Sequence, residues 1–337
     1  MPAPSADKPR VLVTGGAGYV GSHACAALAQ AGFEPVAYDN LCTGFRALVK
    51  FGPFEEGDIR DPARLKEVFE RWRPGAVMHF AALSVVGESM AEPALYYDNN
   101  VRGALTLLEA MRQAGVDRLV FSSTAAVYGK TEVQPIPETA PLAPINTYGR
   151  TKLMIEQALG DYDRAYGLRS VSLRYFNACG AHPDAGIGEM HDPETHLIPR
   201  ALMAVQGRIE ALDLMGEDYP TTDGTAIRDY IHVCDLADAH VAALRYLKQG
   251  GGTTALNLGT GRGVSVKEII DAAGRACGAP VPLRRAPRRP GDPPMLVADP
   301  AMARRVLGFE ARWTDVDAVI ASAWRWAQSQ AMAPAAS

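Results

Sequence analysis

Tyr148 and Lys152 stand four residues apart in Tyr-Gly-Arg-Thr-Lys, so a helix here sets a phenol and an ammonium on one face. A free tyrosine has a pKa of about 10 and is a poor base at neutral pH. A cation roughly 5 Å away, in an effective dielectric near 20, favours the phenolate by about 3 kcal/mol. That corresponds to about two pKa units, enough to poise the phenol for proton transfer. An ordinary surface helix could show the same spacing, so the pair acquires meaning only from the elements around it.

Upstream, Arg10-Val11-Leu12-Val13-Thr14 reads as a buried strand and runs into Gly15-Gly16-Ala17-Gly18-Tyr19-Val20-Gly21. A helical stretch from Ser22 to Ala31 follows. Gly15, Gly18 and Gly21 meet three demands of a dinucleotide loop: a tight turn, close backbone approach to a pyrophosphate, and a helix N-terminus aimed at negative charge. A second apolar run, Val36-Ala37-Tyr38, ends in Asp39. A carboxylate there suits the adenosine ribose hydroxyls and repels a 2′-phosphate, which predicts NAD over NADP.

Strands and helices alternate through the first half. Phe54-Glu55-Glu56-Gly57, a helix Pro62 to Trp72, a strand Ala76 to Phe80 and a long helix Tyr97 to Ala114 come in order. A strand Arg118 to Ser123, the helix of Tyr148 and a strand Ser170 to Arg174 complete the series. Such alternation specifies an α/β fold with a doubly wound parallel sheet, whose ligands bind at the carboxyl ends of the strands. Asp39, Asp58, Ala81, Ser123 and Thr124 fall at such ends. After Tyr175 the texture changes to Gly, Pro and short irregular stretches, and Pro280 to Asp299 is rich in Pro and Arg. Two units are therefore expected: 1–175, a dinucleotide-binding domain, and 176–337, a smaller substrate domain. A helix over Asp235 to Lys248 and a short strand over Ala255 to Leu258 suggest that about 230–260 returns to the first sheet.

Composition bounds the remaining classes. A length of 337 residues allows two domains, and a hydrophobic fraction of 47% suffices for a substantial core. A net charge of −4 argues against general affinity for nucleic acid or an anionic membrane. Cys25, Cys42, Cys179, Cys234 and Cys277 are scattered without a CxxC, as expected of reduced thiols in a cytoplasmic protein. No apolar run is long enough to cross a bilayer. His182, His191 and His196 lie near Asp184, Glu189, Asp192 and Glu194, but their spacing fits no zinc signature, so no metal is expected. Ser122-Ser123 lacks the strained elbow of a nucleophilic serine.

Taken together, these residues resemble the extended short-chain dehydrogenase/reductase family, and within it the members that epimerise UDP-hexoses at C4. The resemblance runs from Val11 to about Trp326. It rests on Gly-Gly-Ala-Gly-Tyr-Val-Gly-Ser-His (15–23), Asp39-Asn40-Leu41, Glu56-Gly57-Asp58-Ile59-Arg60 and His79-Phe80-Ala81-Ala82. Tyr96-Tyr97-Asp98-Asn99-Asn100-Val101, Phe121-Ser122-Ser123-Thr124, Tyr148 with Lys152, and Leu173-Arg174-Tyr175-Phe176-Asn177 continue it. Asp223-Gly224-Thr225, Arg228-Asp229-Tyr230-Ile231-His232-Val233 and Arg288-Arg289-Pro290-Gly291-Asp292 complete it.

The resemblance implies a fold of this family's type, bound NAD and a UDP-hexose substrate, the sugar passing through a transient 4-keto form. It implies Tyr148 as the catalytic base and acid, Lys152 on the nicotinamide ribose and beside Tyr148, and Thr124 as the hydroxyl that bonds the sugar O4. Cofactor contacts are implied for Gly15, Gly18, Tyr19, Val20 and Gly21, and for Asp39, Asn40, Leu41, Thr43 and Gly44. Asp58 and Ile59 would flank adenine. Phe80, Ala81, Ala82, Ser84 and Asn99 would line the cofactor, with Ser122, Tyr175 and Phe176 near the nicotinamide. The substrate would meet Ser84, Thr124, Tyr148, Asn177, His196, Leu197, Leu214, Arg228, Arg289 and Asp292. Leu296 takes a position beside the sugar C2 substituent, where leucine is intermediate between residues that exclude and admit an N-acetyl group. Ser84 and His196 depart from residues found in several members, a lysine and an asparagine. A homodimer through helices near 97–114 and 148–166 is also implied. A 4,6-dehydratase is the competing activity, but that chemistry needs an acidic pair after Thr124, where Ala125-Ala126 stands. A non-catalytic NAD-binding sensor is the third reading, opposed by the complete Thr124, Tyr148 and Lys152 set.

Overall fold

A computed structural model describes residues 8–289 and 292–331. Pro290 and Gly291 of the Arg-Arg-Pro-Gly-Asp motif lie outside them. The chain opens with β1 (Arg10–Thr14), α1 (Tyr19–Gln30), β2 (Glu34–Asp39), β3 (Phe54–Glu56), α2 (Pro62–Trp72) and β4 (Ala76–His79). Short helices α3 (Val86–Ala91) and α4 (Pro93–Tyr96) lead through a π-helical turn, Tyr97–Arg102, into α5 (Gly103–Gln113). Then come β5 (Arg118–Thr124), α6 (Thr147–Tyr166), β6 (Arg169–Tyr175), β7 (Asn177–Cys179), α7 (Leu197–Val205), β8 (Leu212–Met215) and β9 (Ile227–His232). The remainder is α8 (Val233–Lys248), β10 (Thr254–Leu258), β11 (Gly263–Ser265), α9 (Val266–Cys277), β12 (Leu283–Ala286), β13 (Met295–Leu296), α10 (Ala301–Leu307) and α11 (Val316–Ala331).

Seven strands form one sheet in the order β10-β6-β5-β4-β1-β2-β3, every neighbouring pair parallel. Strands buried on both faces explain the nearly unbroken apolar runs of β1, β4 and β5. One face packs on α1 and α8 through Val13, Leu28, Met78 and Leu244. The other packs on α2, α5 and α6 through Leu12, Phe69, Leu107 and Ile155. The order reverses between β1 and β4, and the chain leaving these two strands diverges there. That crevice is where an open parallel sheet takes its ligand.

Beyond the large sheet, β9 is the hub of a small one. It pairs with β11 antiparallel and with β13 and β7 parallel. Asp229, fully buried on β9, accepts hydrogen bonds from the amides of Thr260, Gly261 and Ala298 at 2.8–3.2 Å. One carboxylate thus ties the 260–261 loop and the segment after β13 to β9.

The helix expected over Tyr97 to Ala114 is regular only from Gly103 onward. In the π-helical turn before it the adjacent Asn99 and Asn100 are both buried. The widened turn permits this, because successive residues of an α-helix face directions about 100° apart. Asn100 then accepts from the Leu83 amide and donates to the Leu83 carbonyl, fixing the segment after β4.

Candidate active site

Two caps place Tyr148 and Lys152. Asn146 accepts from the Gly149 amide at 2.7 Å and starts α6, and Gly167, with a φ of 70°, ends it. Gly149 is required by close packing, because a Cβ there would lie 2.5 Å from the Ala126 carbonyl oxygen. The helix is thereby pressed against the turn that follows β5.

Lys152 is buried and donates to the Ser122 carbonyl at 2.8 Å. Its Nζ lies 5.8 Å from the Tyr148 ring centroid and 4.9 Å from that of Phe121. Burial lowers the ammonium to about 7, with Glu156 opposing. Burial raises the Tyr148 phenol above its ordinary value; the Tyr175 phenol adds to this, and a hydrogen bond with Thr124 opposes it. The expected depression of the phenol by about two units is therefore corrected for the ligand-free chain. The Coulomb argument kept the attraction and omitted desolvation, which dominates at this position.

Thr124 and Ser122 complete the group. The Thr124 hydroxyl accepts from the Ala126 amide at 3.1 Å, and the Ser122 and Tyr175 hydroxyls lie 2.6 Å apart. Behind them is a buried network that the sequence reading missed. Glu156 pairs with Arg174 at 2.5 Å and accepts from Ser123, while Arg174 donates to Tyr128, which donates to Asn257. The available signal was Glu156 itself, one further helical turn along the face of Tyr148 and Lys152.

The glycine loop forms a close cradle. Gly15 has a φ of 74°, and a Cβ there would meet the Ala81 amide nitrogen at 2.6 Å. A Cβ on Gly21 would lie 2.1 Å from the Gly15 carbonyl oxygen. Gly18 is the N-cap of α1 and makes no side-chain cap, so the first amides of α1 are not capped by a side chain. Asp39 accepts from the amides of Ala17 and Leu41, and burial raises its carboxyl while those two bonds oppose the shift. Leu41 holds a φ of 58°, and Gly44 passes so close that a Cβ would lie 2.8 Å from the Asp39 carboxylate. Asn40 donates to Asp58, whose carboxyl is held well below the usual range chiefly by the Arg60 guanidinium. Backbone of Phe80 and Ala81 lies against this loop, both amides donating to the Thr14 carbonyl, and Phe80 also packs on His240. These close approaches and uncapped amides fit a dinucleotide.

Other expected residues are distributed less uniformly. The Tyr19 hydroxyl donates to the Gly180 carbonyl at 2.6 Å, so its ring ties the loop to the segment that follows β7, leaving only its backbone for a cofactor. Ile59 is buried in the core against Gly103. Leu214 is buried among Leu202, Ile270 and Val281, so its side chain is committed to packing. Val20 is half-buried, and Thr43 and Ser84 are exposed.

On the substrate side, the register of β9 brings residues together that are remote in sequence. Asn177 stands opposite Tyr230, and Leu296 stands opposite Arg228. Arg228 is nearly buried and pairs with Asp292 at 2.6 Å. Leu296 and Phe176 pack against the cluster of Val127, Tyr128 and Ile136, while Asn177 and Arg289 are exposed. His196 precedes α7 immediately before Leu197, and the Arg289 charge reaches it.

Spacing along the chain fits no zinc signature; in the fold, Glu189, His191, Glu194 and His196 come together with their donor atoms within 4.8 Å of one another. Among the described residues no helix is long and apolar enough to cross a membrane. All five cysteines are free.

Residues 11–259 match the NAD dependent epimerase/dehydratase family. The chain is 55% identical over 316 residues to the UDP-glucose 4-epimerase of Rhizobium meliloti (strain 1021), covering 94% of this chain and 96% of that protein. The crystal structure of UDP-glucose 4-epimerase from Brucella ovis in complex with NAD superposes with a TM-score of 0.92 at 54% identity, over 94% of this chain and 98% of that one. That of the Bifidobacterium longum enzyme in complex with NAD+ and UDP gives 0.91 at 39% identity, over 96% and 99%. With a glycine cradle at the β1–β4 crevice and a Tyr-Lys pair at the end of β5, the chain belongs to the NAD dependent epimerase/dehydratase family.

Proposed function

We propose that this protein interconverts UDP-glucose and UDP-galactose by inverting C4 of the hexose. The observation that carries the reading is the convergence of Tyr148, Thr124 and Lys152 at the carboxyl end of β5, beside a cradle that fits a dinucleotide. Gly15, Gly18, Gly21, Asp39 and the Phe80–Ala82 backbone would hold NAD. When bound, NAD supplies a reversible hydride acceptor, so that the sugar passes through a 4-keto form with no net redox change.

The chain's own residues do the remaining work. Tyr148 exchanges the proton of O4, and the Thr124 hydroxyl, hydrogen-bonded to it, shares the developing charge. Lys152 is held by the Ser122 carbonyl and sets its ammonium 5.8 Å from the Tyr148 ring. Arg228 and Arg289 give charge-assisted bonds to the diphosphate, with Asp292 orienting Arg228. A firm grip on UDP and a loose one on the hexose let the ketone present its opposite face. In this reading 1–175 holds NAD and 176–337 holds the UDP-sugar. The chain works as a cytoplasmic homodimer through α5 and α6. Ala125 and Ala126 form the turn after Thr124 and offer no acid or base for a 4,6-elimination.

Replacing Tyr148 with Phe tests the assignment. Turnover is expected to fall by at least the roughly 10²–10⁴-fold that general acid–base catalysis contributes, while UDP binding measured by calorimetry stays near the wild-type value. Near-normal turnover would refute the base assignment. A panel of UDP-sugars, including UDP-N-acetylglucosamine and UDP-pentoses, defines the range; conversion of neither UDP-glucose nor UDP-galactose would refute the substrate.

A further inference from the structure

Between the glycine loop and α7 lies a second set of chemically active side chains that the epimerisation does not use as a group. The His191 Nδ1 lies 3.5 Å from Glu189 and 3.3 Å from Glu194, and the His196 Nδ1 lies 3.2 Å and 2.9 Å from the same two carboxylates. Tetrahedral bonds of the length zinc makes to His nitrogen and Glu oxygen put neighbouring donors roughly 3.3–3.4 Å apart. The four separations, 2.9–3.5 Å, lie around that edge, with Glu194 meeting His191 through Oε2 and His196 through Oε1, so a single bound ion would draw these donors onto one centre.

Charge and supporting contacts agree with the spacing. Both glutamate side chains are only 8% exposed, and two buried carboxylates side by side need a positive partner. A dication with two neutral imidazoles and two carboxylates leaves the centre neutral. The donors are also held in place. The Glu194 Oε1 accepts from the amides of Thr195 and His196 at 2.8 Å each, and the Glu189 carbonyl accepts from the Trp326 indole at 2.9 Å. His196, whose side chain is 50% exposed, leaves a path for an ion to enter.

We propose that Glu189, His191, Glu194 and His196 form a closed tetrahedral site for a divalent transition metal, best matched by zinc. Four protein donors leave no open position, so the ion is structural and not a Lewis acid for the sugar. It fastens the 189–196 segment in front of α7, with His191 packed edge-on to Tyr19 of the glycine loop at 6.2 Å. The site lies apart from Tyr148 and Lys152 and shares only His196 with the substrate contacts, so metal uptake is read separately from turnover.

The full chain, stripped with a strong chelator and titrated with Zn2+ against a chromophoric competitor, is expected to take up about one equivalent. His191→Ala and Glu194→Gln are expected to weaken binding by more than the roughly 10–100-fold typical of losing an outer partner of a metal site. Added Co2+ reports on the unaltered protein: intense visible bands of a four-coordinate ion are expected, without the charge-transfer band of a thiolate ligand. No saturable uptake, equal uptake in both variants, a weak six-coordinate spectrum or a thiolate band would each overturn the site. The first would leave two His–Glu ion pairs, and the last would assign the metal to cysteines.

Discussion

Burial raises the Tyr148 phenol and lowers the Lys152 ammonium at once, so each group of the pair is pushed toward its neutral form. For Lys152 this has a stability consequence with a definite sign. Its folded-state value is about 7, against 10.5 for an ordinary lysine. Below the lower value it is charged in both the folded and the unfolded chain, and the full cost of burying the charge is present. Between the two values the unfolded chain binds the extra proton, so folding stability gains as pH rises through that window. Lys152→Met lacks the effect. The unfolding free energy of the ligand-free wild type, minus that of the variant, is expected to increase from neutral pH to about 10 in denaturant titrations. A flat difference would show that Lys152 keeps its charge in the fold. The charged group and its spacing were legible in the sequence; the protonation balance was not, because desolvation depends on what packs around the pair.

At the level of elements, the glycine loop shows why three glycines at intervals of three carried so much information. Each removes a Cβ where backbone passes backbone, and a side chain on Gly21 would have to occupy the place of the Gly15 carbonyl. Gly21→Ala is expected to cost about 1–3 kcal/mol as an overpacking change and to lower the NAD released per chain on denaturation. Gly160→Ala on α6 is the control, since its Cβ would meet nothing closer than the Arg164 side chain at 3.6 Å, and its NAD content should match wild type. Helix ends were equally readable. Asp61 caps α2 and Pro62 begins it, the boundary expected from sequence. The π-helical turn at Tyr97–Arg102 was not readable, since its cause is the burial of Asn99 and Asn100 against segments far away in sequence.

For the molecule as a whole, α5 and α6 present Leu105, Met154 and Tyr166 to the surface at 40%, 39% and 59% exposure. Exposed apolar side chains on two adjacent helices are the feature a self-complementary interface would cover. Light scattering is expected to give twice the chain mass, and Leu105→Glu combined with Met154→Glu to reduce it to a single chain. An unchanged mass in that double variant would place any interface elsewhere.

What the sequence determined was everything carried by neighbours along the chain: the parallel-sheet alternation, the glycine turn, the acidic end of β2 and the Tyr-Lys face of α6. These depend on spacing of 2 to 7 residues, which local backbone geometry turns directly into position. The tertiary structure alone decided which remote residues meet. It set Asn177, Arg228 and Leu296 on adjoining strands of one small sheet. It turned the Tyr19 ring away from the loop that carries it, withdrew Leu214 into the core, and closed Glu189, His191, Glu194 and His196 onto one point. Such meetings follow from register, burial and loop path, which arise from the sum of contacts across the fold and leave no periodic trace in the chain.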